Sequence, residues 1–343
     1  MSLSDLRSLG RSGVPLSPLT LGAMNFGDGA NTAGDEAIRI VHSALDAGIT
    51  AIDTADVYTQ GASEVLIGEA LAGGRRDEVF LATKFHGQIG DDPTHQGNSR
   101  RWITRAVEDS LRRLGTDRID LYQAHRPDPA TDLLETLQTL DGLVRQGKIL
   151  YYGTSAFSAE DLVEAQWLAK THHLVAPLTE QVPYSPLIRG VERDTLPIAR
   201  RFGLGVLTFG PLAAGWLSGA YRLGAPQPST ARAGKIPGRF DIDSPANRRK
   251  LEAADALARL ADEAGLELID LAVGFALANP TVSSVIVGPR TQEHLDAYLR
   301  AADTTLERTL LERIDAIVDP GTQFIERDTG RILPALTPEG LRA

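Results

Sequence analysis

Four side chains that can handle protons stand where short apolar runs of the sequence end. Asp53 closes one such run, and Tyr58 follows five residues later in a segment that we predict to be a loop. Lys84 and His125 close two further runs, which we predict to be the next strands. Parallel strands present their carboxyl ends at one edge, so these four side chains are expected to converge.

Together these four groups are suited to proton delivery. A buried Lys84 ammonium is costly unless it is paired, and Asp53 on the adjacent strand is its natural counter-charge. A free tyrosine has a pKa of about 10, and a neighbouring ammonium stabilises the phenolate, so Lys84 is expected to tune Tyr58 as a proton donor. His125 would share that proton or orient a substrate carbonyl oxygen.

The elements that must position these residues follow from hydrophobic patterning. Short apolar runs alternate with longer segments of helical periodicity, which is typical of βα units around a parallel sheet. Eight strands, each followed by a helix, predict an α/β fold, a (β/α)8 TIM barrel, with residues 1–343 forming one domain. The predicted strands are Leu19–Gly22, Thr50–Asp53, Val79–Lys84, Ile119–His125, Ile149–Ser155, Leu178–Gln181, Gly205–Phe209 and Ser283–Gly288. The predicted helices are Glu36–Ala47, Glu64–Ala72, Arg101–Leu114, Ala130–Gln146, Ala159–Lys170, Val191–Phe202, Pro245–Ala264, Leu268–Ala278 and Gln292–Ala302.

Three segments fall outside these repeating units. Leu6–Leu16 is predicted to be a short N-terminal hairpin that plugs the bottom of the barrel, and Leu306–Val318 is predicted to be an appended helix. Leu217–Ser244 is rich in Gly, Pro, Ala and Arg, and an irregular segment of this length is usually functional or disordered. We expect it to act as a lid.

Composition excludes several classes of function. The chain has no cysteine, which excludes disulfides, thiolate metal sites and cysteine nucleophiles. A net charge of −10 argues against nucleic-acid and anionic-membrane binding. The amino terminus has no apolar signal core, and no run of about 18 apolar residues occurs, so we expect a cytoplasmic protein. Oligomeric state does not follow from these features.

Several motifs of this sequence resemble those of a known family. The match extends from about Leu19 to Arg300, and its order and spacing resemble the aldo-keto reductase superfamily. The motifs are Asp53-Thr-Ala-Asp-Val-Tyr58 with Glu64 and Gly68, Ala82-Thr-Lys84, Ser110-Leu-Arg-Arg-Leu, Asp120-Leu-Tyr-Gln-Ala-His125, Gln146-Gly-Lys-Ile and Gly153-Thr-Ser155.

What the resemblance implies is a TIM barrel that binds NADPH across its mouth and reduces an aldehyde or ketone, a small-molecule carbonyl substrate. The family's tyrosine acts as the acid, with an aspartate, a lysine and a histidine in support. These four catalytic positions correspond here to Tyr58, Asp53, Lys84 and His125.

The resemblance also implies positions for the cofactor. The expected contacts are Gly22, Met24 and Asp53 along the nicotinamide ribose, Ser155 and Gln181 on the carboxamide, Phe209 stacked on the ring, and Leu212 by the pyrophosphate. Gly288, Arg290 and Thr291 open the last barrel helix and are expected to hold the adenosine phosphate, with His294 following on that helix. Independently of the family, helix amino termini favour anions.

This sequence departs from the family pattern at several of these positions. Ala156 replaces the usual asparagine after Ser155, and Gly210 replaces a serine. Thr59 replaces a glycine, and His294 and Tyr298 replace amide side chains that hold the adenine. The substrate pocket is expected to include Phe26, His86, Phe209 and Trp216, a moderately apolar set.

Two other functions remain open from the sequence. Some proteins that resemble this pattern attach to channel proteins, so the chain could be a cofactor-binding regulatory subunit of the channel beta-subunit type. A metal-dependent barrel hydrolase would use Asp53, His86, His95 and His125, but the Lys84 ammonium would repel a cation. We therefore expect no metal site.

Overall fold

Eight parallel strands close into a barrel in the computed structural model. The structure describes residues 2–27, 32, 34–226, 228, 234 and 236–330. Neighbouring strands follow the order of the chain, and the last strand pairs with both its predecessor and the first strand of the barrel. The strands are β1 (Arg7–Ser8), β2 (Pro15–Leu16), β3 (Leu19–Gly22), β4 (Ala51–Asp53), β5 (Phe80–Phe85), β6 (Ile119–Ala124), β7 (Ile149–Ser155), β8 (Thr179–Pro183), β9 (Gly205–Phe209) and β10 (Val282–Val287). The predicted (β/α)8 fold is confirmed.

Helices surround this barrel and bury their apolar faces against it. Side-chain caps mark where several of them begin. Ser99, Asp132 and Ser158 each accept a hydrogen bond from a backbone N–H in the first turn of a helix. The described helices are α1 (Gly34–Asp46), α2 (Ala62–Leu71), α3 (Arg100–Leu114), α4 (Leu133–Arg145), α5 (Ala159–Thr171), α6 (Thr195–Phe202), α7 (Pro245–Glu263), α8 (Leu268–Ala278), α9 (Gln292–Ala302) and α10 (Arg308–Ile317). Within the described ranges, no helix is both long enough and apolar enough to cross a membrane.

One predicted helix is divided in two. The sequence pattern predicts a continuous helix over Val191–Phe202, whereas the structure has a short 3-10 turn at Gly190–Glu192 and begins α6 at Thr195. The Asp194 side chain accepts a hydrogen bond from the backbone N–H of Thr195, and capping of this kind marks a new helix start.

The barrel interior changes from apolar to polar along the strands. A buried apolar cluster at its lower end includes Ala51, Ala82 and Leu121, one residue from each of three neighbouring strands. Because side chains alternate along a strand, the residues two positions later also point inward. Those residues are Asp53, Lys84 and Gln123, and they form a polar layer at the carboxyl ends of the strands.

The N-terminal hairpin closes the opposite end of the barrel. β1 pairs with β2 in antiparallel register, and Leu9 and Leu16 belong to the same apolar cluster as the barrel interior. A Cβ at Gly205, where β9 begins, would lie only 2.6 Å from Leu9 Cδ1, so the hairpin is pressed against the strand. The predicted plug is confirmed, and it leaves the carboxyl end as the mouth.

The long segment Leu217–Ser244 is only partly described. Residues 227, 229–233 and 235 lie outside the described ranges, so a lid role for this segment stays a prediction. Its described ends pack inward, where Tyr221 and Phe240 stack on Trp216. The predicted appended helix is present as α10, which packs against α7.

Candidate active site

A buried ion pair lies at the centre of the polar layer. Lys84 Nζ lies 2.6 Å from Asp53 Oδ2 and 2.7 Å from the carbonyl oxygen of Thr54, and the Lys84 side chain is wholly buried. Burial, the largest influence, lowers the pKa of Lys84, but the charges of Asp53 and Tyr58 and their hydrogen bonds outweigh it and raise the pKa overall. Lys84 therefore remains an ammonium.

Two glutamine side chains hold the second oxygen of the aspartate. Gln181 Nε2 donates to Asp53 Oδ1 at 2.8 Å, and Gln123 Nε2 donates to the same atom at 3.3 Å. Both amides are buried. With one oxygen held by Lys84 and the other by two amides, the Asp53 carboxylate is fixed in orientation.

Tyr58 reaches this ion pair from the loop after β4. It begins a 3-10 turn, Tyr58–Gly61, and its hydroxyl oxygen accepts a hydrogen bond from Lys84 Nζ at 3.3 Å. Burial raises the pKa of Tyr58 more than Lys84 lowers it. We expected Lys84 to depress this pKa, and the correction is that Lys84 limits a rise caused by burial. The phenol is therefore protonated at neutral pH.

His125 faces the phenol from the end of β6. The two rings meet edge to face with centroids 5.8 Å apart. Burial, followed by the positive charges of Lys84, Arg126 and His86, holds the pKa of His125 well below its usual value. The imidazole is therefore neutral, so one ring nitrogen can donate a hydrogen bond to a substrate oxygen while the other accepts one.

Next to this group, a buried asparagine organises the rim of the mouth. Asn98 Oδ1 lies 3.0 Å from His86 Nδ1, and Asn98 Nδ2 donates to the carbonyl oxygen of Arg126 at 3.0 Å. Asp128 accepts from the Asn98 backbone N–H at 2.8 Å. His86, predicted to face the substrate, is therefore held at the mouth and partly exposed.

The residues predicted to hold the nicotinamide lie together on β7, β8 and β9. The Ser155 hydroxyl donates to the carbonyl oxygen of Gln181 at 3.1 Å, and Phe209 lies partly exposed at the end of β9. Ala156, which stands where the family has asparagine, adopts a left-handed conformation with φ of 56°. Asparagine tolerates this conformation better than alanine, which gives the family preference a physical reason.

The residues predicted to hold the adenosine phosphate lie at the start of α9. Gly288 and Arg290 are exposed, and the Thr291 hydroxyl oxygen caps the helix by accepting the His294 backbone N–H at 3.3 Å. The His294 Nδ1 in turn accepts from the Arg290 backbone N–H at 3.4 Å. Among the described residues, no carboxylate lies within 4.0 Å of the Arg290 guanidinium, and the Thr32 hydroxyl donates to the Arg290 carbonyl oxygen at 2.8 Å.

The remaining cofactor positions surround the same mouth. Met24 is half exposed, and Leu212 is partly exposed on the loop after β9. At Gly22, an added Cβ would lie 2.7 Å from Ile286 Cγ2, so only glycine fits between β3 and β10. These positions are consistent with a ligand that extends across the mouth.

Two predicted pocket residues need correction. Phe26 and Trp216 are both wholly buried, so neither side chain is accessible to a substrate in this structure. Trp216 stacks on Tyr221 and Phe240, and Phe26 belongs to the main apolar core. Both are apolar residues next to a glycine-rich loop, and sequence alone did not distinguish core from pocket lining.

The histidines of the metal hypothesis do not converge. The His95 ring stacks on Trp102 with centroids 5.2 Å apart, and its Nε2 contacts Arg105 Nη1 at 2.7 Å. Within the described part of the chain, no cluster of three or more His, Cys, Asp or Glu could hold a metal ion.

The sequence analysis missed several polar residues of the site. Gln123 could have been found, because it stands two residues before His125 and therefore faces the same side of β6. Asn98 and Arg126 lie in irregular segments without periodicity, so no sequence pattern marked them. Asp56 is part of the motif between Asp53 and Tyr58, but the sequence analysis gave it no role.

A protonated phenol, a buried ammonium and a neutral imidazole meet at the carboxyl ends of the barrel strands, an arrangement suited to proton transfer. Comparison with known proteins gives the class of protein. The model of the Aldo/keto reductase family matches residues 18–319. The chain is 38% identical over 331 residues to the uncharacterized oxidoreductase YrpG of Bacillus subtilis, covering 93% of this chain and 97% of that protein.

Other relatives are named as subunits of potassium channels. The probable voltage-gated potassium channel subunit beta of Arabidopsis thaliana is 33% identical over 326 residues, covering 91% of this chain and 96% of that protein. Its counterpart in Oryza sativa subsp. japonica is 34% identical, with the same two shares covered. The chain belongs to the aldo/keto reductase family, and this membership supports an oxidoreductase function.

Proposed function

We propose that the protein reduces an aldehyde or ketone to an alcohol with NADPH, as a single domain over residues 1–343. The observation that carries the proposal is the hydrogen-bonded chain from Asp53 through Lys84 to the Tyr58 hydroxyl, with neutral His125 beside it. When bound, the reduced nicotinamide supplies a hydride to the carbonyl carbon. The protein's task is then to bind the carbonyl oxygen and to protonate it.

Each residue has a defined part in that task. Tyr58 donates its phenolic proton to the carbonyl oxygen as negative charge develops there, and His125 donates a hydrogen bond that orients the oxygen. Lys84 stabilises the phenolate that remains, because its ammonium already contacts the Tyr58 oxygen. Asp53 keeps the ammonium charged and in place.

The cofactor fits the residues that surround this centre. The Arg290 guanidinium and the first turn of α9 offer the donors that a phosphate requires. Phe209 supplies an aromatic face at the end of β9, next to the buried Ser155 and Gln181. Arg290 would select the 2′-phosphate of NADPH, while Ser155, Gln181 and Phe209 would hold the nicotinamide end.

The experiment that tests this function is Tyr58→Phe. The substitution removes the proton and keeps the ring, so we expect carbonyl-reductase turnover to fall by about two to four orders of magnitude. NADPH affinity, measured by fluorescence titration, should change by no more than about threefold. Tyr151→Phe is the matched control, since that phenol lies at the lower end of the barrel on β7.

A second candidate is a cofactor-binding regulatory subunit, which the names of two relatives favour. The two proposals differ in one measurable property. A reductase turns over a simple aldehyde such as 4-nitrobenzaldehyde with a rate that depends on Tyr58. A protein that binds NADPH tightly and shows no such turnover would be assigned to the second candidate.

A further inference from the structure

Arg126 is a cation at the mouth of the barrel that forms no direct ion pair among the described residues. It directly follows His125, and its Nη1 donates to the His125 carbonyl oxygen at 2.5 Å. No carboxylate of the described chain lies within 4.0 Å of its guanidinium, and the residue is only partly exposed. A partly buried guanidinium without a direct ion pair is costly, and this makes Arg126 a candidate for ligand binding.

The guanidinium faces the same small space as the ring of Phe209. A Cβ at Gly330 would lie 4.0 Å from Arg126 Nη2, 3.6 Å from Phe209 Cζ and 3.8 Å from Ala156 Cβ. The glycine therefore leaves room between a cation and an aromatic edge. Burial lowers the pKa of Arg126, and electrostatic interactions with the nearby Tyr58 and Glu180 partly offset this. Arg126 thus adjoins both the proton donor and the expected nicotinamide position.

The carboxylates around this space already have partners. Asp53 is paired with Lys84, and Glu180 accepts from the Thr154 hydroxyl and from a backbone N–H. Asp128 accepts from the backbone N–H of Asn98 and from a threonine hydroxyl. Among the described residues, none of these three carboxylates forms an ion pair with Arg126, so its guanidinium can offer donors to a ligand.

The backbone of Arg126 is held by its neighbours. Asn98 Nδ2 donates to the Arg126 carbonyl oxygen at 3.0 Å, and Asn98 is itself buried. Pro127 follows directly, and its ring restricts the backbone of the preceding residue to extended conformations. A backbone held in this way lowers the entropy that is lost when the side chain binds a ligand.

We propose that Arg126 is a specificity-determining residue that binds a carboxylate group of the substrate. The proposal rests on the reductase function proposed above and gives its substrate class, a carbonyl compound that also carries a carboxylate. A single guanidinium presents a planar fork of donors, which matches the two oxygens of a carboxylate. The carbonyl oxygen would bind at Tyr58 and His125, and the carboxylate at Arg126.

The test compares two aldehydes of nearly equal shape, 4-carboxybenzaldehyde and 4-carbamoylbenzaldehyde. In the parent we expect kcat/KM to favour the carboxylate by tenfold or more, mainly through KM, and the preference should weaken as salt is added. Arg126→Gln should reduce this preference to within threefold of unity. Arg308→Gln removes the same charge at a site with a 91% exposed side chain and should leave both rates unchanged.

A carboxylate preference that survives Arg126→Gln would overturn the proposal, as would a parent that treats both aldehydes equally. A binding measurement distinguishes failure of this proposal from failure of the reductase proposal. If the parent reduces neither aldehyde, calorimetry with 4-(hydroxymethyl)benzoate and its amide still reports on Arg126. Tighter binding of the carboxylate that is lost in Arg126→Gln supports the anion site, and equal binding of both compounds rejects it.

Discussion

At the scale of single residues, the buried Lys84 ammonium depends on Asp53 and acts on Tyr58. Lys84→Met removes the charge that stabilises the phenolate, so we expect kcat to fall by at least tenfold. It also leaves the Asp53 carboxylate buried without a counter-charge, at a cost of about 3–5 kcal/mol in unfolding free energy. Steady-state kinetics and urea unfolding measure the two effects separately.

The double variant Lys84→Met/Asp53→Asn separates catalysis from folding. It removes both charges of the pair, so much of the lost stability should return while turnover stays low. If the double variant regained both stability and turnover, Lys84 would act only through its effect on stability. This outcome would contradict the role proposed for it.

Asp56 is a buried carboxyl that no described side chain hydrogen-bonds, and the nearby backbone N–H of Val57 offsets its burial only in part. Burial, followed by the charge of Glu64, raises its pKa well above the ordinary value. The pKa of Asp56 is therefore higher in the folded than in the unfolded protein. The stability that this carboxyl contributes in its protonated form is fully present below the unfolded pKa, and it is lost as the pH rises through the folded pKa.

Asp56→Asn should therefore stabilise the protein at pH 8, by about 1–2 kcal/mol, and the gain should shrink towards pH 4. Thermal unfolding between pH 4 and pH 8 measures this dependence. Asp319→Asn, at an exposed position, is the control and should change the stability little. A constant difference for Asp56→Asn would mean that the Asp56 pKa is the same in the folded and unfolded protein, which would contradict a pKa raised by burial.

At the scale of elements, the first turn of α9 is expected to decide the choice of cofactor. The 2′-phosphate of NADPH carries close to two negative charges, and a charge-assisted bond to Arg290 contributes about 1.5–3 kcal/mol. Arg290→Ala should weaken NADPH binding tenfold or more and barely alter NADH binding. Dissociation constants for both cofactors test this, and equal losses would mean that Arg290 does not bind the phosphate.

A second element-scale feature joins the C-terminal turn to the barrel. Asp328 is buried and bonds to Lys250, and Arg239 Nε donates to it at 2.9 Å. The Lys250 ammonium also lies 5.4 Å from the centroid of the Trp216 ring. These contacts connect the turn Glu326–Thr329 to α7 and to the segment after β9.

Asp328→Asn leaves two cations without their counter-charge, so we expect a loss of about 3–5 kcal/mol in unfolding free energy. Urea unfolding measures it, and Lys250→Met in addition should restore much of the loss. The exposed pair of Arg313 and Glu263 serves as the control, since Glu263→Gln should cost no more than about 1 kcal/mol. A loss for Asp328→Asn as small as the control would show that the cluster does not hold the turn.

The sequence predicts the elements well because hydrophobic periodicity records which face of each element is buried. β3, β7 and β9 have the predicted bounds, and β5 and β8 run one or two residues past the predicted strand ends. Helix starts are less accurate, since capping by residues such as Asp194 depends on backbone geometry. The contacts that orient Asp53 join distant strands, and no local pattern records such pairings.

At the scale of the whole molecule, the parts of the site are distributed around the closed barrel. The residues proposed for catalysis lie at or just after the carboxyl ends of β4, β5 and β6, and those proposed for the cofactor extend past β10. Such a site requires every strand to be in register, because a slip of one residue would turn an inward side chain outward. Leu121 and Gln123 in β6, and His125 just after it, occupy every second position and so lie on the same face. A slip of one residue would turn all three away from the barrel interior.

The hydrogen bond between Gln181 and Asp53 spans 128 positions of the chain. The barrel closes only when β10, the last strand, pairs with β3, the first. Contacts between such distant segments form late, since long loops must close before they can be made. During synthesis, therefore, no nascent chain released before β10 has emerged can have a complete reaction centre. After dilution from denaturant, regain of enzymatic activity should lag behind the regain of helical circular dichroism.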